Sequence, residues 1–270
     1  MTALLGSFTR FSLLNDPGRM VGKQEMVVGR RHGAVEHEIY QTRNTVARVK
    51  PDGVPPLTRH IVAMQEEIQA MLPELKRQGK RVAVILATDG LPTDGQGYGG
   101  EEITNEFVAA LRDLEGLPVW VVIRLCTDER NITEFYNQLD GLLDLNLEVL
   151  DDFLGESKEV QEKNPWLNYA LPMHRCRELG YHDRLFDLLD ERQLTKAELR
   201  LFCSLLFGTG TEEIPDPVSN WNAFIKYVEK SLEHESPQWN PLKRKKKPWI
   251  SVKKLNRIYN HTRLFGRTFG

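Results

Sequence analysis

Arg81-Val-Ala-Val-Ile-Leu-Ala-Thr-Asp-Gly-Leu-Pro-Thr-Asp94 is the stretch on which the fold turns. Residues 82–87 are apolar without alternation, which predicts a strand buried on both faces, as in a parallel sheet covered by helices. Asp89 and Gly90 follow at the carboxyl end of that strand, where open α/β sheets gather their ligand sites. A carboxylate held there is placed to bind a divalent cation, directly or through water.

Outward from this stretch, strands and helices alternate. Phe8–Leu14 reads as a strand, Asn15-Asp-Pro-Gly18 as a turn and Gln24–Gly29 as the second arm of a hairpin. Residues 30–56 are polar and carry no clear period. A helix follows with Thr58 as its N-cap, Ile61, Met64, Ile68, Met71, Leu72 and Leu75 on one face, and Gly79 at its end. After the strand come a flexible glycine loop at 95–100, a helix near 101–115, and a buried strand at Val119–Leu125. A helix face runs from Ile132 to Leu143, and a third short strand spans Leu147–Leu150. This order predicts a doubly wound, mostly parallel sheet.

Three regions are expected: an α/β domain over 1–152, a helical extension over 153–235, and a basic, partly mobile tail over 236–270. In the extension, Thr195 and Glu198 have the spacing of a capping box.

Ala87-Thr-Asp-Gly-Leu-Pro-Thr-Asp94 resembles a loop of the von Willebrand factor A-type domain. Gly53-Val-Pro-Pro-Leu57 resembles the family's preceding metal-site loop, and Val119–Cys126 its next core strand, so the resemblance covers residues 8–152. It implies a non-catalytic protein-binding module that recognises a protein partner at the carboxyl edge of the sheet. Asp89 is then the surviving metal-site acid, Thr58 a candidate second oxygen ligand, and Thr88, Gly90 and Asp94 the rim.

In the family, Mg²⁺ is held by an Asp-x-Ser-x-Ser loop, a threonine and an aspartate. Mg²⁺ needs about six oxygen ligands, some of them water. This chain has no Asp-x-Ser-x-Ser, and Pro55 stands where the family has threonine. The site is therefore expected to be degenerate or truncated. The chain opens on what resembles the family's second strand, so the central first strand is expected to be missing, and with it most of the cation site. Mg²⁺ is expected to bind only if that motif is supplied.

Other patterns compete. Gly95-x-Gly97-x-x-Gly100 has the form of a dinucleotide fingerprint after a strand and before a helix, which keeps open a nucleotide-dependent or hydrolytic enzyme using residues 89–102. Asp89, Asp94, Glu101 and Glu102 would repel its phosphates. His174, Cys176, His182 and Cys203 are candidate zinc ligands, but their spacing is irregular and offers no Cys/His nucleophile pair. Core cysteines and surface histidines are the plainer reading. No catalytic residue is assigned.

Lys243-Arg244-Lys245-Lys246-Lys247 opens a segment with ten Lys or Arg and no Asp or Glu. It reads as a solvated tail, a nuclear import signal, or a contact for nucleic acid or anionic membrane. The net charge of −2 gives the whole chain no general attraction to polyanions. Three cysteines without regular spacing argue against a disulfide framework. No signal peptide or membrane-length apolar run is present, so a cytoplasmic location is the expectation, with the nucleus as the alternative.

Overall fold

Thr9–Ser12 (β1) and Glu25–Val28 (β2) pair antiparallel, with Phe11 opposite Met26, which gives the expected hairpin. They belong to a computed structural model that describes residues 8–31, 33–50, 53–139, 141–150, 152–181 and 183–260. Val35–Arg48 (α1) follows, a helix that the polar composition of 30–56 hides. Its only buried residue is Thr42, while Ile39, Tyr40 and Val46 are exposed. The Glu38 carboxylate accepts from the Gly29 amide at 2.8 Å, tying α1 to the end of β2.

Leu57–Gln78 (α2) starts one residue before the expected cap. Pro56 is the N-cap and makes no side-chain cap bond, so Thr58 lies inside the first turn rather than capping it. Leu57, Ile61 and Ile68 are buried. Glu101–Arg112 (α3) packs against α2 and buries Phe107, Ala110 and Leu111. Arg130–Asn137 (α4) adds Ile132 and Tyr136, and the Tyr136 ring meets Phe107 edge-on at 6.2 Å. Burying each such side chain contributes about 1.5–3 kcal/mol.

Val82–Thr88 (β3), Val119–Leu125 (β4) and Leu147–Leu150 (β5) form a three-stranded sheet in the order β3-β4-β5. The β4–β5 pair is parallel, with Val122 opposite Glu148 and Arg124 opposite Leu150. The fold is thus mixed α/β with a parallel sheet. β4, in the middle, is buried except at Arg124, which is half-buried. β3 corrects the expectation of burial on both faces: Val84, Leu86 and Thr88 are buried, but Ala83, Ile85 and Ala87 are exposed, Ile85 by 45%. An outermost strand has a neighbour on one side only. Among the described residues no strand pairs with its other edge.

The chain divides into two compact units that interleave along the sequence. One comprises residues 1–82, 88–119 and 127–146, with the hairpin, α1 to α4 and the loop after β3. The other comprises 83–87, 120–126 and 147–270, so the sheet strands cluster with everything that follows them.

That second unit continues with Phe153–Lys163 (α5), Leu171–Glu178 (α6), Arg184–Glu191 (α7), Lys196–Phe207 (α8) and Trp221–Glu233 (α9). The Thr195–Glu198 capping box forms at the start of α8. One core gathers Trp166, Leu189, Leu199, Phe202, Phe224 and Leu255. Fully buried Asn164 braces it, donating to the Leu189 and Arg192 carbonyls at 2.9 and 2.8 Å and accepting from Trp166 Nε1 and the Leu194 amide.

The basic run departs from the expectation of a mobile tail. Gln238–Asn240 (β6) and Lys245–Lys247 (β7) form an antiparallel hairpin. Beyond it, Val252–Asn260 (α10) packs on α9 with Leu255 and Tyr259 buried, in line with the helical packing that Ile250, Leu255 and Ile258 suggest in the sequence. Arg263 and Arg267 lie outside the described residues. No described helix is long and apolar enough to cross a membrane.

Candidate functional site

Asp89 leaves β3 at its carboxyl end and is exposed. The loop after it folds onto the Gly53–Pro56 bend. The Thr93 amide donates to the Pro55 carbonyl at 3.0 Å, and a Cβ on Gly90 would lie 3.5 Å from Pro55 Cγ. Gly97 packs on Val54, where a Cβ would come within 2.8 Å of Cγ1. Asn15 fixes the bend from behind, donating from Nδ2 to the Val54 carbonyl at 2.8 Å. Thr93 and Pro55, 38 residues apart by the difference between 93 and 55, are thus joined at backbone level.

Thr88 and Tyr136 set the first turn of the loop. Thr88 Oγ1 lies 3.3 Å from the Gly90 amide and 3.2 Å from its carbonyl, which also accepts from Tyr136 Oη at 2.8 Å. Burial pushes the Tyr136 phenol well above its ordinary pKa, against the pull of its contact with Thr88, so it remains a donor. The sequence marks Tyr136 only as part of a helix face; its hydroxyl is a support for the loop that periodicity does not reveal.

Two hydroxyls at this rim are buried and find no hydrogen-bond partner: Thr58 Oγ1 and Thr93 Oγ1. Thr58 is the candidate oxygen ligand, here freed from the capping role expected of it. Thr93 is an addition that the sequence reading does not single out. Asp94 is occupied: its Oδ1 accepts from the Gln96 and Tyr98 amides at 2.8 and 2.9 Å. These bonds close the glycine loop on itself and take two of the amides a phosphate would need. The following helix presents Glu101, Glu102 and Glu106.

The oxygen set around Asp89 does not fit a complete Mg²⁺ site. Of the candidate ligands, Asp89 brings one exposed carboxylate and Thr58 one hydroxyl, while Pro55 contributes no side-chain oxygen. Among the described residues, the acidic group close enough to share an ion is Glu156, Glu159 and Asp190, all in the other unit.

That group already has a cation. Arg177, 4% exposed, meets Glu148 at 2.5 Å, Glu156 at 2.6 Å and Asp190 at 3.1 Å. Burial opposes the Arg177 charge, but Glu156, Tyr169, Glu148 and Asp190 outweigh it and hold its pKa well above the ordinary value. On the same helix, Glu178 lies 2.8 Å from Arg124 Nε of β4 and 3.4 Å from His174 Nε2.

The zinc candidates do not come together among the described residues. Fully buried His174 lies beside Tyr169, 3.3 Å from its hydroxyl, and burial lowers its pKa. Cys176 is exposed, Cys203 is in the core with its thiol pushed up to about 12 by burial, and His182 lies outside the described residues.

The chain matches no protein-family model, no curated protein and no solved structure.

Proposed function

We propose that this chain is a non-catalytic protein-binding module of the von Willebrand factor A type with a degenerate metal-ion-dependent adhesion site. One observation carries the reading: the Thr93 amide bonds the Pro55 carbonyl, so the bend and the Asp89 loop share one rim, as the resemblance requires. Around that rim, Thr58 and Thr93 hold buried hydroxyls that lack partners.

Recognition then rests on Asp89 as an acceptor, flanked by Gly90 and Leu91. A photo-crosslinking amino acid at position 91, used in cells, tests this. A discrete protein adduct that disappears in Asp89→Arg supports the reading. Adducts that are absent, or unchanged by Asp89→Arg, contradict it.

A further inference from the structure

The basic run is a fixed platform. In the β6–β7 hairpin, Gln238 faces Lys247, Trp239 faces Lys246, and Asn240 faces Lys245. Directly opposed residues of an antiparallel pair project to one face. Asn240 is buried and joined to Asn168, which also donates to the Gln238 and Lys247 carbonyls at 3.2 and 3.1 Å. The inner face of the hairpin is therefore strapped down, and Trp239 and Lys246 share the outer one. Trp239 is 50% exposed.

Positive charge concentrates around it. Lys243, Arg244, Lys245 and Lys246 are exposed, with Arg244 at the turn. Lys254 of α10 donates to the Pro165 carbonyl at 2.9 Å, and its pKa is lowered by burial and by repulsion from Lys247, Lys243 and Arg257. Cations from two elements thus share one field, which an approaching anion would relieve.

We propose that this hairpin is a contact for single-stranded nucleic acid, with phosphates along Lys243, Arg244 and Lys246 and one base stacked on Trp239. Base stacking needs a single rigid aromatic beside spaced cations, which is what the hairpin presents. A membrane contact needs a broader apolar face, and α10 has its Leu255 and Tyr259 buried in the core. This surface lies in the unit that does not contain Asp89, so it stands independently of the rim.

The test uses the full chain and labelled oligouridylate and oligothymidylate of about 20 nucleotides, followed by fluorescence anisotropy across salt. With roughly three phosphates neutralised, log affinity should fall against log salt with a slope of about −2. Lys243→Glu with Lys246→Glu should weaken binding at least about tenfold and flatten the slope. Trp239→Ala should weaken it about five- to a hundredfold. Thermal melting confirms that the variants remain folded. Either oligonucleotide behaving this way supports the proposal, and their ratio reports sugar preference. No binding at low salt, binding indifferent to the charge reversals or to Trp239→Ala, or binding to phosphatidylserine vesicles alone overturns it.

Discussion

Asn168 and Asn240 join their side-chain amides at 2.8 Å across 72 residues of sequence. Through this bond and two to backbone carbonyls, Asn168 holds the β6–β7 hairpin against the helical core. Asn168→Ala removes its bonds to the Gln238 and Lys247 carbonyls and to Asn240 Nδ2. The expected cost is about 2–4 kcal/mol in denaturant unfolding, with faster hydrogen exchange across 238–247. A change below about 0.5 kcal/mol would show that the hairpin is held otherwise.

Arg177 is a buried cation facing Glu148, Glu156 and Asp190. Arg177→Met takes that charge away from the three carboxylates, and a loss of about 3–5 kcal/mol at neutral pH is expected. The variant should regain ground relative to wild type as acid protonates these carboxylates. A stability difference that stays constant from neutral pH to pH about 4 would contradict this account.

The turn after α6 presses on β3. Gly180 has φ 76°, and a Cβ there would lie 2.9 Å from the Ala83 Cβ. Gly180→Ala therefore meets both backbone strain and a clash, and should destabilise by about 1–3 kcal/mol. A neutral effect in thermal unfolding would mean that the turn does not rest on the strand.

Glu198 has its pKa lowered to about 2, first by the Arg192 hydrogen bond and then by the Thr195 amide and hydroxyl. The folded value lies below the unfolded one, near 4.5, so the stabilisation is fully present above the unfolded value. It declines as pH falls and is gone below about 2. Thr195→Ala should cost about 1 kcal/mol at neutral pH, and less in acid. Urea unfolding at several pH values would reveal the decline, and an equal cost at all pH values would exclude the reciprocal cap.

Much of this architecture was legible along the chain. The apolar runs at 82–87, 119–125 and 147–150 announce strands, because nothing else places that many branched apolar residues together. Thr195 and Glu198 announce a helix start at fixed spacing. α1 stayed hidden because it buries Thr42 and exposes Ile39, Tyr40 and Val46, so no apolar stripe marks it. The β6–β7 hairpin stayed hidden because its support comes from the distant side chain of Asn168. β3 shows the same limit: its apolar composition predicts burial, but whether a strand borders each edge is decided far away in sequence.

The arrangement of the loop around Asp89 was half legible. Sequence likeness pairs the Gly53–Pro56 bend with the Asp89 loop, and the Thr93–Pro55 bond joins them. That bond is between backbone atoms, so no residue type announces it. Nor does any pattern reveal that Tyr136 donates to the Gly90 carbonyl. Tyr136→Phe should loosen the loop by about 1 kcal/mol, read as faster exchange of the amides of residues 89–94. Unchanged exchange would remove Tyr136 from the account of the site.

A Mg²⁺ titration followed by amide NMR tests the degenerate rim most directly, in this chain and in one preceded by a strand ending in Asp-x-Ser-x-Ser. This chain should show shifts limited to the surroundings of Asp89 and Thr58, without saturation below about 1 mM, because a single carboxylate replaces too little of the ion's hydration shell. The extended chain should saturate at micromolar Mg²⁺ and lose that response in Asp89→Ala. Micromolar binding by the chain alone, or an extended chain that folds yet binds no Mg²⁺ at Asp89, would contradict the reading.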